Sequence, residues 1–465
     1  MSPEEKIQKI EQYRNEAYAS KAYQRLSNLF DADTMVEIDP FVLSEDGPAE
    51  VITAYGCVSG VQVYAFAQNS NVAMGAFSRA QANKIKKVYD LALKTGAPVV
   101  GIYDSHGARL RQNGEILEAY GDMLKWVNNL SGVVPQISVI AGACIGTAAL
   151  IAGCADIVIA AKDADFGIDT TGNNASCEAA AKAGNVNIVS KDEDEAIATA
   201  RSLVEMLPQN NLSTASMADF NENANGCAML RAAADKLGRE CAAYDIINAV
   251  ADDGSFLELS KDAGKGVVTG FATIAGNTVG LVAACSEVGS GKLDSDSTGK
   301  AARFVRFCDA FSLPVVSFVD TFGFESVKEA AMLSHAYAEA TTVKLAVITG
   351  AAYGAAFVAM AGRGANSDMT VAWKNAVIAP LAPETVTAII YNDRLAKSGN
   401  PIADRKQLVE EYKRTLASPL EAAADGFIEN VIDPADTRAV VISSLDMLSG
   451  KRVSTMPKKH SNIRL

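Results

Sequence analysis

Two kinds of apolar pattern alternate along this chain. Where apolar and polar residues take turns, as in "VITAYGCV" (51–58) and "VQVYAFAQ" (61–68), the period of two predicts short strands joined as a hairpin. Where apolar residues recur every three or four positions, as Ile85, Val88 and Leu91 do in "RAQANKIKKVYDLALKTG", the pattern predicts a helix. Short unbroken apolar runs, "PVVGIY" from Pro98 and "QISVIAG" from Gln136, predict strands buried on both faces. Each run stops at a corner containing glycine, and a helical pattern follows. Strands alternating in this way with helices predict an α/β architecture with parallel strands.

The succession then starts again. Gly60, Lys84, Pro98, Asp104 and Gly107 reappear as Gly276, Lys300, Pro314, Asp320 and Gly323, each 216 positions later. "VIAGACIGTA" matches "VITGAAYGAA", but there Gly146 and Gly354 are 208 positions apart, so the second copy is eight residues shorter between its two corners. The second helix keeps its spacing with Phe304, Phe307 and Phe311 in "TGKAARFVRFCDAFS". Two copies of this length are a duplicated domain, because solenoid repeats run to roughly 20–50 residues. The polar, helical stretch from about 192 to 240, with "LPQNNLSTAS" as a turn-rich break, reads as the junction, giving expected domains over 1–240 and 241–465.

Charge and composition narrow the classes. A formal net charge of −13 on 465 residues argues against nucleic acid as the main partner. No apolar run is long enough for a membrane span, and the charged N-terminus lacks the apolar core of a secretory signal, so a cytoplasmic protein is expected. The eight cysteines form no C-x-x-C pair and sit mostly among apolar residues, which reads as buried free thiols. Three histidines do not make a histidine-rich metal site, and no metal is expected.

The corners themselves are poor in reactive side chains. "GACIGTA" and "GAAYGAA" offer small residues that let another group approach the backbone. A helix beginning at such a corner leaves its first N–H groups free, and these favour an anion. Two corners converging in one copy would aim two donors at one oxygen, an oxyanion hole suited to the enolate of a thioester. Taken singly, each corner reads more simply as a device for tight helix–strand packing; four corners at repeating positions are what favour the donor reading.

"DSDSTGKAARFVRFCDAFSLPVVSFVDTFGF", "HAYAEATTVKLAVITGAAYGAAFVAM" and "MTVAWKNAVIAP" closely resemble the carboxyltransferase (β) subunits of biotin-dependent acyl-CoA carboxylases and decarboxylases. In the first copy, "MGAFSRAQANKI", "YDSHGAR" and "PQISVIAGACIGTAALIAGCADIVIA" are similar to the same family's N-terminal half. The resemblance spans about residues 30 to 450. It implies two tandem crotonase-like domains and transfer of a carboxyl group between carboxybiotin and an acyl-CoA such as a propionyl-, acetyl- or methylmalonyl-type ester. By position, Gly107 and Ala108 with Gly146 and Thr147 would hold the thioester oxygen. Gly323 and Phe324 with Gly354, Ala355 and Ala356 would hold the ureido oxygen of carboxybiotin. Val358 stands where the family tunes acyl length, and Arg79, Lys84, Arg109 and Arg111 are candidates for coenzyme A phosphates, with a solvated face as the plainer reading.

The resemblance also implies partners. With no A-M-K-M-like biotinylation motif and no Gly-rich ATP-binding segment, the chain would need a separate biotin carboxyl carrier protein and a biotin carboxylase or decarboxylase subunit. It would assemble as a dimer or as a hexamer of dimers, each site formed between the N-terminal domain of one subunit and the C-terminal domain of another. Some positions depart from the family: Thr147 and Ala355 replace the second of two glycines, His106 replaces glycine, Phe322 replaces proline, and the loop after Phe324 is short. Three other readings stay open. One is a decarboxylase subunit feeding a sodium pump. Another is a crotonase-type hydratase or isomerase using Glu115 and Asp169. The last is a non-catalytic subunit that only binds acyl-CoA.

Overall fold

In the computed structural model, which describes residues 3–45, 47–169, 175–238, 240–363, 367–453 and 456–458, the two alternating segments form the hairpin Val51–Val58 and Val61–Gln68. Its partner in the second half is Val267–Ile274 with Asn277–Ala284. Both hairpins turn through two residues of positive φ, Ser59 and Gly60 in one, Ala275 and Gly276 in the other. That is the twist-matched two-residue turn of a right-handed hairpin. A carboxylate latch fixes each turn, partly exposed in the first unit and buried in the second. Asp31 accepts hydrogen bonds from the Ser59 and Gly60 amides, both at 3.0 Å, and pairs with Arg201 at 2.7 Å. Asp252 accepts from the Ala275 and Gly276 amides, both at 2.9 Å, and pairs with Arg438 at 2.6 Å. Each arginine also donates to a nearby carbonyl, Leu29 or Val250.

The chain divides into two compact units, residues 1–216 and 217–465. The division falls at the end of "LPQNNLSTAS", and the helices Gly226–Lys236 and Ala243–Val250 pack in the core of the second unit. Among the described residues each unit holds an eight-stranded sheet, seven strands in one shared order and an eighth, Asp165–Gly167 or Val377–Ala379, paired off that path with Gln136–Ile145 or Lys344–Tyr353. In the first unit the order is Val36–Ile38, Val51–Val58, Val61–Gln68, Val99–Ser105, Gln136–Ile145, Ile157–Ala161 and Ile188–Ser190. In the second it is Leu257–Leu259, Val267–Ile274, Asn277–Ala284, Val315–Thr321, Lys344–Tyr353, Met369–Trp373 and Asn430–Ile432. From the second hairpin strand onward the neighbours pair in parallel. The runs around Val99 and Val315 are buried at every position, so they read as continuous apolar stretches. Helices cover these strands. Ser78 and Asp294 cap the helices Arg79–Thr95 and Ser295–Ala310, each accepting from an amide three residues on.

At the ends of Val99–Ser105 and Val315–Thr321 both sheets break register in the same way. Tyr103 pairs with Ile140, but Ser105 pairs with Cys144. Val319 pairs with Ile348, but Thr321 pairs with Ala352. Asp104 and Asp320 sit in these bulges and turn their carboxylates onto Gly142 and Gly350, where a Cβ would overlap a carboxylate oxygen. The glycines are therefore required by close approach to a buried acid.

Two expectations change. Lys84, read as a solvated or phosphate-binding residue, is buried and donates to the Val51 carbonyl at 3.0 Å. Its counterpart Lys300 donates to the carbonyls of Ser260, Ala263 and Gly264. Burial lowers the pKa of both, and that of Lys300 falls to about 8. These lysines tie the helix to the chain entering the hairpin, and the backbone carbonyls there supply what water would have supplied outside. The thiol reading also needs correction: Cys241 and Cys285, separated by 44 positions in sequence, are joined as a disulfide, while Cys57, Cys144, Cys154, Cys177, Cys227 and Cys308 are free.

The close approach in the second bulge predicts that Gly350→Ala destabilises the second unit by about 1–3 kcal/mol, as overpacking of a filled core does. Urea unfolding of the full chain, followed by tyrosine and tryptophan signals, measures this; a midpoint equal to wild type would show that the Asp320 carboxylate moves aside freely.

Candidate active site

Parallel pairing carries two neighbouring strands past the sheet edge together. In the first unit Ser105 lies opposite Cys144, and Gly107 and Gly146 each follow two residues later. In the second unit Thr321 lies opposite Ala352, and Gly323 and Gly354 follow at the same distance. Adjacent strands are about 4.8 Å apart, so the two corners of each unit are immediate neighbours.

The first corner of each unit is pinned on both sides. Phe77 N–H donates to the Gly107 carbonyl at 2.8 Å and Arg109 N–H returns to the Phe77 carbonyl at 2.9 Å. In the second unit Leu293 N–H donates to the Gly323 carbonyl at 2.9 Å and Glu325 N–H to the Leu293 carbonyl at 3.0 Å. The glycines take φ of +129° and +135°, which only glycine adopts without strain. Their own N–H groups make long bonds of 3.3 Å to the hydroxyls of Ser105 and Thr321. Between the pinned residues, the N–H groups of Ala108 and Phe324 have no hydrogen-bond partner among the described residues.

The second corner starts a short helix. Gly146 N–H is engaged by the Gly167 carbonyl at 2.9 Å, and Gly354 N–H by the Ala379 carbonyl at 2.8 Å. Neither can donate to a ligand while these bonds hold. The strands Asp165–Gly167 and Val377–Ala379, which pair with the overrunning ends of Gln136–Ile145 and Lys344–Tyr353, are the physical reason. The open donors therefore lie one residue further on, at Thr147 and Ala355, with Ala148 and Ala356 next in the same first turn. Thr147 and Ala355 are exposed, whereas Ala148 and Ala356 are buried. Of the nine expected donors, Ala108, Thr147, Phe324 and Ala355 thus stand open, Ala356 is buried in the first turn behind Ala355, and the four corner glycines shape the turns.

The flanking candidates have other duties. Arg79 pairs with Asp122 at 3.3 Å and Glu118 at 3.8 Å, and Arg109 binds the buried Glu50 at 2.7 Å. Arg111 lies in the short turn Leu110–Gln112. Val358 is 58% exposed on the turn that follows Ala355. Glu115 and Asp169, the two acids considered for acid–base work, are both exposed and stand on separate segments. No group of three or more potential metal ligands occurs among the described residues.

The buried acids behind the corners were visible in the sequence only as matched positions. Asp104 accepts from Arg25 at 2.7 Å and from Ser70 at 2.9 Å. Asp320 accepts from the Ala351 amide at 2.7 Å and from Ser286, the counterpart of Ser70, at 2.8 Å. No ion pair to Asp320 occurs among the described residues. Burial raises its carboxyl to about 6, against the opposing pull of the Ala351 and Ser286 hydrogen bonds.

Comparison with known proteins adds a second line of evidence. The carboxyl transferase domain family matches residues 19–463. The methylmalonyl-CoA decarboxylase subunit alpha of Propionigenium modestum is 35% identical over 480 residues, covering 96% of this chain and 93% of that protein. The propionyl-CoA carboxylase carboxyltransferase subunit of Haloferax mediterranei is 35% identical over 483 residues, with 96% and 93% covered. The transcarboxylase 12S crystal structure, a hexamer solved with methylmalonyl-coenzyme A and methylmalonic acid bound, superposes with a TM-score of 0.92 at 31% identity, covering 100% of this chain and 99% of that one. No helix among the described residues is long and apolar enough to cross a membrane.

The Asp320 environment gives a pH prediction. The folded state keeps this proton up to about pH 6, while the unfolded chain releases it near the ordinary value of 3.8. Stability from the protonated form is therefore present at low pH and lost as pH rises through about 6, a change of roughly 3 kcal/mol. Asp320→Asn cannot ionise. Its stability relative to wild type should rise by about that amount between pH 4 and pH 7 in paired urea titrations. A pH-independent difference would contradict the assignment.

Proposed function

The chain belongs to the carboxyl transferase domain family, and we propose that its first unit holds the thioester oxygen of an acyl-CoA on the Ala108 and Thr147 amides while its second holds the ureido oxygen of carboxybiotin on the Phe324 and Ala355 amides. The fold is two tandem crotonase-like domains, and the enzyme class is carboxyl transfer. The observation that carries the residue assignment is the repeated pair of open main-chain donors, each pair beside a glycine corner, with no cluster of three or more His, Cys, Asp or Glu among the described residues.

The chemistry follows from the donors. Carboxybiotin, when bound, would supply the carboxyl group in one direction, and biotin would accept it in the other. Abstracting a proton next to a thioester carbonyl, or removing a carboxyl group there, places negative charge on the carbonyl oxygen. Two fixed N–H dipoles lower the energy of that charge without reorganising during the reaction, and one such donor is worth about 2.7–4 kcal/mol. A second fixed pair does the same for the other reactant, and holding the two reactants together removes much of the entropic barrier. Thr147 and Ala355 retain the N–H that the chemistry uses, so their departure from glycine leaves both holes intact.

The substrate class is a short acyl-CoA of the propionyl or methylmalonyl type, the esters named for the relatives. Carboxylation and decarboxylation pass through one enolate, and the same donors serve both. The carboxylase and sodium-pump decarboxylase readings therefore share this site. Separate carrier and carboxylase or decarboxylase subunits, and a homo-oligomer that brings the first unit of one protomer to the second unit of another, complete the proposal. A hydratase or isomerase would need an acid and a base set together, whereas Glu115 and Asp169 are exposed residues on separate segments.

Carboxyl transfer between carrier-bound biotin and a panel of acyl-CoA esters tests the reading. Thr147 and Ala355 occupy first helical positions, where proline fits the backbone and removes only the N–H. Thr147→Pro and Ala355→Pro should each lower kcat by about 100- to 1,000-fold, with the thermal midpoint close to wild type. Full activity in either folded variant would remove that amide from the mechanism.

A further inference from the structure

The two corners of the second unit are joined by a feature that the first unit lacks. Phe322 directly precedes Gly323, Tyr353 directly precedes Gly354, and their rings stack with centroids 5.4 Å apart and planes 7° from parallel. The equivalent residues of the first unit, 216 and 208 positions earlier, are His106 and Ile145, which cannot form such a pair. Both stacked residues are rooted. Phe322 N–H donates to the Gly291 carbonyl at 2.8 Å, and its ring lies so close to Gly291 that a Cβ there would overlap it. Tyr353 packs against a small cluster of Ala379, Val386, Tyr412 and Ala417. The Phe322 side is still 42% exposed, one residue from the corner's open amide.

We propose that the Phe322–Tyr353 stack is a positioning clasp for the second oxyanion hole: it fixes the spacing of the Phe324 and Ala355 amides and offers the exposed Phe322 ring as an apolar seat for the bicyclic ring of biotin. The inference rests on the reading that this unit takes biotin. Its physical basis is that each ring is covalently one residue from a corner glycine of positive φ, so the separation of the rings sets the separation of the corners. An offset aromatic pair is favourable beyond the area it buries, so the stack favours one arrangement. Catalytic donors need their spacing held within about 0.5 Å. The second copy has lost eight residues between its corners, so less loop remains to brace them. The stack replaces that bracing with a side-chain contact.

The experiment compares the full-length wild type with Phe322→Leu, which keeps apolar bulk but loses the stack, and Phe322→Tyr, which restores it. Free biotin is the probe. Its dissociation constant is measured by ligand-observed NMR, and KM for biotin and for the acyl-CoA are measured separately in carboxyl transfer. The clasp predicts about tenfold weaker biotin binding and a matching rise in KM for biotin in Phe322→Leu, with KM for acyl-CoA within twofold of wild type and recovery in Phe322→Tyr. Equal weakening for both substrates, or unchanged biotin binding in a folded Phe322→Leu, overturns the clasp while leaving the functional reading standing. A wild type that neither binds biotin nor transfers carboxyl groups overturns the functional reading, and the clasp's ligand with it.

Discussion

Everything at these sites depends on main-chain N–H groups that the sheet cannot use. A parallel ladder satisfies each amide only while a neighbouring strand runs beside it. Here the two central strands of each sheet overrun the ladder, and a glycine of positive φ turns each away. A short flanking strand takes back one amide of the second corner, that of Gly146 or Gly354. The next amide has no helical partner because it belongs to a first turn. An open donor at a helix start next to an open donor at a strand end is a consequence of topology, and the second unit reproduces it because it reproduces the strand order.

Much of this was legible from pattern alone. The buried runs, the helix periodicity and the shared offsets of 216 and then 208 positions point to both sheets, since a duplicated pattern folds as a duplicated unit. The one-residue distinction between Gly146 and Thr147 was not legible. It depends on the pairing of Asp165–Gly167 with a strand twenty residues earlier, and three residues carry too little pattern to announce that pairing. Lys84 misled for a different reason. A lysine on an amphipathic helix ordinarily faces water, and only the folded chain shows a backbone carbonyl waiting for it. The Asp104–Gly142 and Asp320–Gly350 contacts left a trace in the sequence, as acids and glycines at matched offsets. Their meaning required the bulge that brings them together.

The two copies keep one skeleton and differ in what surrounds it. Behind the first hole a buried carboxylate is neutralised by Arg25 at 2.7 Å. Behind the second, Asp320 has hydrogen bonds alone and its carboxyl is raised to about 6 by burial. Beside the first hole stand His106 and Ile145; beside the second, a stacked aromatic pair. Duplication supplied two equal pairs of open main-chain donors, and the walls beside them have diverged.

This division of labour explains which positions tolerate change. The corner glycines take φ of +72° and +47°, and a side chain on Gly354 would also press on the Pro380 carbonyl, so neither position accepts a side chain without strain. The residues after them have entered a helical turn, where any side chain is sterically allowed and the N–H is kept. At Thr147 and Ala355 the geometry therefore constrains the backbone and leaves the side chain free to vary. A donor supplied by the main chain survives every substitution except proline, and its direction is set by the turn that precedes it. That is why a site with few reactive side chains has its strictest requirements at glycines that never touch the reacting atoms.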